Sequence, residues 1–97
     1  MKYSIHSEAE QDLRSAAQFY REQAGPALAL ALLTEIEHSI SLLMRHPHIG
    51  APWRGNKRRY VMRRFPYSVV YEFAPDEIRV LAVAHQSRRP DYWRGRN

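Results

Sequence analysis

Cysteine is absent from the 97 residues of this sequence. Disulfide bonds, thiolate metal sites and a cysteine nucleophile are therefore excluded. The chain also lacks internal repeats and low-complexity segments, and its first residues, Met1 to His6, run straight into acidic positions without the apolar core of a signal peptide. We expect no later run to reach membrane-spanning length. These absences predict a cytoplasmic protein.

The composition is that of a folded protein with one core. Hydrophobic residues make up 44% of the chain and charged residues 26%, proportions that lie in the globular range. The length suits one domain and is too short for two. We therefore expect a single domain over residues 1–97.

Charge is distributed unevenly along the chain. Residues 1–46 carry four Lys and Arg against six Asp and Glu (net −2), whereas residues 47–97 carry eleven against four (net +7). A basic second half is typical of proteins that bind nucleic acid or an acidic protein segment. An arginine-rich surface that only keeps the protein soluble is the alternative.

The first half of the chain predicts a short strand and two helices. Tyr3 to His6 alternates in the manner of a strand. Ser7 and Glu10 have the spacing of a capping box, which predicts a helix with Ser7 as its N-cap. Gly25-Pro26 suits the end of this helix and the first turn of the next, and His46-Pro47 stops the second helix. Because the second helix has the broader apolar surface, we expect it to be the more buried of the two.

A loop rich in proline and glycine is predicted over residues 46–57, with Trp53 as its anchor. His46 and His48 lie in this loop and His38 lies near the end of the second helix. They have neither a partner carboxylate nor a recognised ligand spacing. We therefore expect no metal site and no cofactor.

Residues 58–73 predict a β-hairpin with two different faces. If Tyr67, Val69, Tyr71 and Phe73 face the helices, the opposite face carries Ser68, Val70 and Glu72 together with Arg59, Val61 and Arg63. Buried, unpaired arginine is costly, so we expect this second face to be open to solvent or to an anionic partner. A further apolar run, Ile78 to His85, predicts a central strand.

The predicted order of elements is β-α-α-β-β-β. This order predicts an α+β fold with an N-terminal strand, a helical hairpin and a three-stranded antiparallel meander. All strands are expected in a single sheet with both helices packed on one face.

Five segments carry a family resemblance. They are Ala9 to Leu13 with Ala16 and Tyr20; Pro47-His48-Ile49-Gly50; Arg58-Arg59 with Phe65-Pro66-Tyr67-Ser68-Val69-Val70-Tyr71; Val80-Leu81-Ala82-Val83-Ala84-His85; and Arg88-Arg89-Pro90-Asp91-Tyr92-Trp93. In this order they resemble the RelE/ParE superfamily of toxins from bacterial type II toxin–antitoxin systems, over nearly the whole chain. The resemblance implies a growth inhibitor of the kind associated with plasmid stabilisation.

One branch of this superfamily, the RelE-like branch, consists of ribosome-dependent mRNA endonucleases. Its basic residue early in the second strand corresponds to Arg59, and its histidine or arginine near the end of the last strand corresponds to His85 or Arg88. With Arg63 these give a candidate catalytic set of Arg59, Arg63 and His85. The branch also has an arginine in the third strand where this chain has Ser68, and a hydroxyl cannot replace a fixed cation at a phosphate. Capping of the strand end is the alternative role of His85.

The ParE-like branch poisons DNA gyrase and needs no nuclease centre. The missing arginine, the turn at Phe65-Pro66-Tyr67 and the tail resemble this branch more closely. We therefore predict a ParE-like gyrase inhibitor that is not an enzyme, with a RelE-like mRNA endonuclease as the alternative and a non-toxic nucleic-acid-binding module as a further one. The implied target-binding residues are Arg58, Arg59, Arg63, Arg88, Arg89, Tyr92, Trp93 and Arg94. For Trp93, packing of the tail onto the sheet is the preferred interpretation.

Both toxin branches imply a cognate antitoxin, ParD-like or RelB-like. A basic toxin with an apolar helical hairpin suits an acidic, partly disordered segment that folds on binding. The other expected partner is DNA gyrase or, in the alternative, the ribosome with its mRNA; no membrane partner is expected. The predicted antitoxin-binding residues are Leu13, Tyr20, Leu28, Leu32 and Arg59.

Overall fold

The computed structural model describes residues 1–87 and 92–96. Its elements are β1 (Lys2–Ile5), α1 (Ser7–Ala24), α2 (Pro26–Arg45), β2 (Ala51–Pro52), β3 (Arg58–Val61), β4 (Tyr67–Ala74) and β5 (Glu77–His85). The strands form one sheet in the order β1-β5-β4-β3-β2. The predicted α+β architecture is confirmed, with one strand more than predicted.

The sheet is mixed. β3, β4 and β5 form the predicted antiparallel meander. β1 lies parallel to β5, with Lys2 opposite Glu77. The additional strand β2 pairs with β3, with Ala51 opposite Arg59, inside the segment predicted to be a loop. It is short because Pro52 lacks the N–H that a longer ladder needs.

The start of α1 differs from the predicted capping box. Ser7 is already helical, and the N-cap is His6, whose ring Nδ1 accepts a hydrogen bond from the backbone N–H of Glu8 at 3.1 Å. The N–H of His6 in turn donates to the carbonyl of Val80 at 2.9 Å. Pairing with β5 therefore holds His6 in an extended conformation, which makes it the last residue before the helix.

A single residue separates the two helices. Gly25 has a φ of +99° and a ψ of 168°, a conformation that side chains disfavour. Pro26 is the first residue of α2. Proline is tolerated there because the N–H at this position of a helix makes no intrahelical hydrogen bond. The predicted Gly-Pro boundary is confirmed.

α2 is also the most apolar segment of the chain. It has 20 residues, and an 18-residue stretch of it has a mean hydropathy of 1.5, so by length and composition it could cross a membrane. The expectation that no run reaches this length is therefore wrong. Leu32, Ile36, Ile40 and Leu43 are nevertheless buried in the core with the sheet. The core helix of a folded domain has this composition, and that is the position of α2 here.

The helices cover one face of the sheet, as predicted. Tyr67, Val69 and Tyr71 are buried in the main core, and Phe73 packs against it. On β5 the pairing shifts: Val80 lies opposite Tyr71 whereas Ala82 lies opposite Val70. The extra residue between them reverses the alternation of β5, which accounts for the apolar residues on both faces of this strand.

Candidate functional site

Arg58 stabilises the loop after α2. Its Nη1 donates to the backbone carbonyls of His48 at 3.1 Å and Gly50 at 2.7 Å. Its guanidinium also lies 5.8 Å from the centroid of the Phe73 ring. These contacts give Arg58 a structural role, and its contact with a target stays a prediction.

Arg59 lies on the sheet face opposite the helices. It pairs across the ladder with Val70, which belongs to a second, smaller apolar cluster with Ala82 and Trp93. The guanidinium of Arg59 stacks on the ring of Trp53 at 4.4 Å. Trp53 is half-buried against the same cluster, so its predicted role as the anchor of the loop is confirmed.

Ser68 lies on the same face and is only 5% exposed. It pairs with Val61 of β3 and lines a cavity of about 210 Å³, which we call the sheet-face cavity. The other residues of this cavity are Trp53, Arg59, Val61, Val70, Ala84, His85, Gln86, Tyr92 and Trp93. Its walls are thus mainly apolar and aromatic, with Arg59 as the positively charged side chain.

His85 ends β5, as predicted, and borders the sheet-face cavity. Its Nδ1 accepts a hydrogen bond from the backbone N–H of Ser87 at 3.0 Å and lies 2.7 Å from the Ser87 hydroxyl. Its ring packs edge-on against Tyr67, with 5.0 Å between centroids. The interpretation of His85 as a cap of the strand end is confirmed, and acceptance at Nδ1 leaves Nε2 to carry the proton of the neutral ring.

Arg63 does not join this cavity. β3 ends at Val61, and Arg63 lines a different cavity with Glu35 and His38 of α2. There the carboxylate of Glu35 accepts the backbone N–H of Arg64 at 3.0 Å. The prediction that Arg63 shares a face with Arg59 is wrong because strand alternation stops before it.

The C-terminal turn, residues 92–96, covers part of the sheet face. Trp93 is 7% exposed and packs on Val70 and Ala82. The preferred interpretation of Trp93 as a packing residue is confirmed. The face is open only in part, because Trp93 covers Val70 and Ala82 whereas Arg59 and Val61 stay exposed. Arg94, by contrast, is exposed. The predicted target-binding residues Arg88 and Arg89 lie outside the described residues.

One carboxylate, that of Asp12, connects α1 to the C-terminal turn. Its Oδ2 accepts hydrogen bonds from the N–H of Val83 at 3.2 Å, the hydroxyl of Tyr92 at 3.0 Å and Nη1 of Arg96 at 2.7 Å. The side chains of Asp12 and Arg96 are each 10% exposed. We call Asp12, Val83, Tyr92 and Arg96 the Asp12 cluster.

Sequence reasoning gave the Asp12 cluster no role, although one signal was present. Asp12 lies three residues after Ala9 and four before Ala16, both of which are buried. That spacing places a carboxylate beside the apolar stripe of α1. A charge in this position needs a partner, but the partner, Arg96, lies at the other end of the chain and cannot be identified from spacing.

Arg96 makes several further contacts. Its Nη1 donates to the carbonyl of Leu81 at 3.0 Å, its Nε lies 3.2 Å from a carboxylate oxygen of Glu8, and its guanidinium lies 4.9 Å from the Tyr92 ring centroid. Burial lowers the pKa of Arg96, but the hydrogen bond and charge of Asp12 outweigh it, and the pKa is raised above its ordinary value. The guanidinium therefore stays charged.

A second group of charges lies near the opposite end of β4. Glu72 pairs with Lys57 at 3.3 Å and with Arg79 at 3.6 Å, and Arg79 also pairs with Glu77 at 3.2 Å. The hydrogen bond from Arg79 lowers the pKa of Glu77, and the hydrogen bond to Glu77 raises that of Arg79. Part of the basic charge of the second half is thus balanced within the protein.

The predicted antitoxin-binding residues differ in accessibility. Leu13 and Leu28 are half-buried against the core. Tyr20 is half-buried and packs edge-on against Phe65, with 5.3 Å between centroids. Leu32 is 0% exposed. Leu32 therefore supports the core in this structure and offers no surface to a partner.

A groove of about 720 Å³ runs between β1 and α1; we call it the β1–α1 groove. Its apolar lining includes Tyr3, Ile5, Leu13, Ala17 and Leu33. Its charged lining residues are Arg14, Arg21 and Glu10, and Glu10 lies 3.8 Å from Arg14. β1 is an edge strand of the sheet. The groove thus combines apolar surface, positive charge and a strand edge.

Of the three histidines considered as a metal cluster, His46 and His48 line one surface cavity after α2, whereas His38 lines another. His48 packs its ring edge-on against Phe73, with 4.8 Å between centroids, and His38 lines the cavity of Arg63. Within residues 1–87 and 92–96, no group of three or more His, Asp or Glu side chains is placed to hold a metal ion.

The fold is shared with a solved toxin–antitoxin system. The chain superimposes on a structure of the chromosomal ParDE system from P. aeruginosa with a TM-score of 0.77 and 23% sequence identity, covering 88% of this chain and 95% of that chain. This likeness shows the fold of the chain. Among curated protein sequences, none matches this chain.

The family itself is shown by the sequence. The family model described as the ParE toxin of the type II toxin–antitoxin system, parDE, matches residues 3–90. The chain therefore belongs to the ParE toxin family, and it is the toxin component of a type II toxin–antitoxin system. The resemblance drawn from the residues is confirmed, and a cognate antitoxin is its partner.

Proposed function

We propose that this toxin arrests growth by inhibiting DNA gyrase and that it has no nuclease activity. Membership of the ParE toxin family supports gyrase inhibition, and the observation that argues against a nuclease is the position of Ser68, 5% exposed in the sheet-face cavity. Cleavage of a phosphodiester needs preorganised positive charge at the scissile phosphate. This chain has a buried hydroxyl where the RelE-like branch has an arginine, and Trp53 and Trp93 line the surrounding cavity.

The surface around the sheet-face cavity suits an anionic or acidic partner. Arg59 is exposed and lines the cavity, and exposed Arg94 follows Trp93 directly in the chain. Exposed arginines beside aromatic side chains are typical of binding surfaces. We propose that Arg59, Tyr92 and Arg94 contact the target, together with Arg88 and Arg89.

The RelE-like alternative also has one observation in its favour. Arg59 and His85 line the same cavity, so a cation and a proton-transfer group lie at one site. In that mechanism the His85 Nε2 proton serves the leaving oxygen and Arg59 offsets the phosphate charge. Arg63, the third member of the candidate set, lies in another cavity, which disfavours this alternative.

One induction experiment separates the two activities. After expression of the toxin, cellular mRNA is examined by primer extension while purified toxin is incubated with gyrase and supercoiled plasmid. We expect stalled gyrase cleavage complexes and intact mRNA, both unchanged in a His85→Ala variant. Codon-positioned mRNA cuts that His85→Ala abolishes, with gyrase unaffected, would establish the endonuclease instead.

We propose the β1–α1 groove as the antitoxin site. Its apolar lining suits the apolar side of an amphipathic segment. Its two arginines, Arg14 and Arg21, outnumber the one acidic lining residue, Glu10, and so complement acidic residues on that segment. Tyr3 of β1 lines the groove and is 51% exposed, whereas Phe19 of α1 is 54% exposed but lies outside the groove. The two aromatic residues form a matched pair for a test.

The test is titration of the purified antitoxin into Tyr3→Ser and Phe19→Ser variants. Tyrosine is enriched among the minority of interface residues whose truncation costs more than about 1 kcal/mol of binding free energy. We expect Tyr3→Ser to weaken binding by about this amount and Phe19→Ser to leave it unchanged. Equal effects, or an effect of Phe19→Ser alone, would place the antitoxin elsewhere.

We also propose that the toxin acts in the cytoplasm as a single domain, residues 1–97. Gyrase and the antitoxin are both expected in that compartment. The location is tested by expressing the toxin together with its antitoxin, fractionating the cells and blotting for the toxin. Recovery of the toxin in the membrane fraction would contradict it.

A further inference from the structure

The free edge of β5 is completed by side chains. β1 pairs with β5 only over Glu77 to Val80, so the backbone groups beyond that point lack a strand partner on this side. Three of them are satisfied by the C-terminal turn and α1. The carbonyl of Leu81 accepts from Arg96 Nη1 at 3.0 Å, the N–H of Val83 donates to Asp12 at 3.2 Å, and the carbonyl of Val83 lies 3.3 Å from the Tyr92 hydroxyl.

Asp12 is the acceptor on which this arrangement depends. It is the negatively charged member of the Asp12 cluster and accepts from Val83, Tyr92 and Arg96 together. The Asp12 and Arg96 side chains are each 10% exposed, and removal of one partner from a buried ion pair leaves an uncompensated charge. Glu8, the other carboxylate facing Arg96, is 63% exposed and makes a weaker substitute.

The turn that Asp12 holds borders the proposed target surface. Tyr92 and Trp93 line the sheet-face cavity with Arg59, and Arg94 is the exposed residue that follows them. The place of this turn therefore sets the spacing between Arg59 and Arg94. If the turn were displaced, the distance between Arg59 and Arg94 would change although both side chains would still be present.

We propose that Asp12 is a positioning residue for toxicity: by binding Arg96 and Tyr92 it holds the C-terminal turn beside Arg59 in the arrangement that the target recognises. The proposal rests on the target surface proposed above but does not depend on which target the surface binds. Asp12 does not line the β1–α1 groove and lines a different cavity, together with Glu8 and Arg96. Antitoxin binding is therefore expected to be independent of it.

The test compares Asp12→Asn with Glu22→Gln in the whole chain. Both changes replace a carboxylate of α1 by an amide, but Glu22 is exposed and bonds only to Gln18 in the described structure. Three properties are measured: amide hydrogen exchange at Val83 by NMR, binding of the purified antitoxin, and loss of viable cells after induction. The far-ultraviolet circular dichroism spectrum checks that each variant is folded.

We expect Asp12→Asn to speed exchange at Val83 by about tenfold or more, because a buried pair has lost its charge. Its killing of cells should fall by a similar factor, whereas antitoxin binding stays at the wild-type value. Glu22→Gln should match the wild type in all three. A merely structural role would lower killing and antitoxin binding together, and that result would overturn the proposal.

Full killing by Asp12→Asn with faster exchange at Val83 would also overturn it. If Asp12→Asn does not fold, Arg96→Lys serves in its place, since lysine keeps the charge but cannot reach Asp12 and Leu81 with a planar fork. Partial loss of killing by Arg96→Lys supports the proposal, and full killing contradicts it. The wild-type gyrase assay is read separately: its failure removes gyrase as the target and leaves the comparison of killing intact.

Discussion

The hydroxyl of Tyr71 joins a central strand to the loop after α2. It donates to the carbonyl of Pro47 at 2.6 Å and accepts the N–H of Gly50 at 3.0 Å. A Cβ at Gly50 would lie 2.7 Å from this hydroxyl, so glycine is what permits the close approach. The motif Pro47-His48-Ile49-Gly50 therefore has a structural cause in one buried phenol.

Replacement of Tyr71 by phenylalanine should destabilise the protein. The ring is retained, but the Gly50 N–H and the Pro47 carbonyl lose their partner, and a buried unsatisfied group costs about 1–3 kcal/mol. Urea denaturation of Tyr71→Phe measures the change in the free energy of unfolding. Tyr3→Phe, at a 51% exposed position, is the control and should be neutral. An equally neutral Tyr71→Phe would show that water replaces the hydroxyl.

Stability should fall in alkaline solution through the two buried phenols. Burial raises the pKa of Tyr67 and of Tyr71 above the ordinary 10.0. A raised pKa in the folded state means that the folded protein binds the proton more tightly. The contribution of these two phenols to the free energy of unfolding is therefore complete below pH 10.0. It is lost as the pH rises through their pKa values in the folded state.

Denaturation curves test this prediction when they are measured at a series of pH values up to and beyond 10.0, the pKa of a free tyrosine. The Tyr71→Phe variant should lose less stability over the alkaline range than the wild type, since it has one buried phenol fewer. Parallel curves for the two proteins would exclude Tyr71 as a source of the loss.

At the scale of elements, the periodic segments were the most predictable. The two helices and the strands of the meander follow from apolar spacing and from Gly25-Pro26. The errors lie where contacts between elements decide the outcome. Pairing of β1 with β5 makes His6 the N-cap in place of Ser7, and the two residues of β2 are too short to show alternation. Arg63 was misplaced because the end of β3 has no local signal.

Two leucines of α2 provide a test at this scale. Leu32 is 0% exposed and Leu30 is 65% exposed, although they are two positions apart on one helix. A buried Leu→Ala change leaves a cavity and costs about 2–5 kcal/mol, so Leu32→Ala should lower the free energy of unfolding by this amount. Leu30→Ala should change it little. Thermal or urea denaturation measures both, and similar losses would contradict the assigned orientation of α2.

At the scale of the whole molecule, the charge of the toxin should govern its association. The net charge is +5 at pH 7, and charge attraction between exposed groups weakens as salt shortens the Debye length from about 10 Å at 0.1 M. We expect the antitoxin association rate to fall with salt. Arg21→Gln, in the β1–α1 groove, should reduce that dependence, whereas Arg45→Gln, outside the groove, should reduce it less. Stopped-flow measurements over a salt series provide the slopes.

The sites themselves were less predictable than the fold. Arg59 and Ser68 were correctly placed on one face because β3 and β4 alternate clearly, whereas His85 was placed at the end of its strand and was brought to the site by the family resemblance. The Asp12 cluster was missed because it joins α1 to a turn near the other end of the chain. Sequence periodicity reports which side of an element is buried, but it does not report which distant residue meets it there.

The parallel pairing of β1 with β5 has a consequence for the time at which the toxin becomes active. Translation produces Lys2 near its start, yet the partner of Lys2 in the sheet is Glu77. Chains are synthesised at about 5–20 residues per second. The ribosome therefore makes β5, the partner strand of β1, several seconds after β1 itself. The Asp12 cluster waits longer still, until Arg96 has been added. We therefore expect a nascent toxin to lack activity until Arg96 has been added, and an antitoxin already present has that interval in which to meet it.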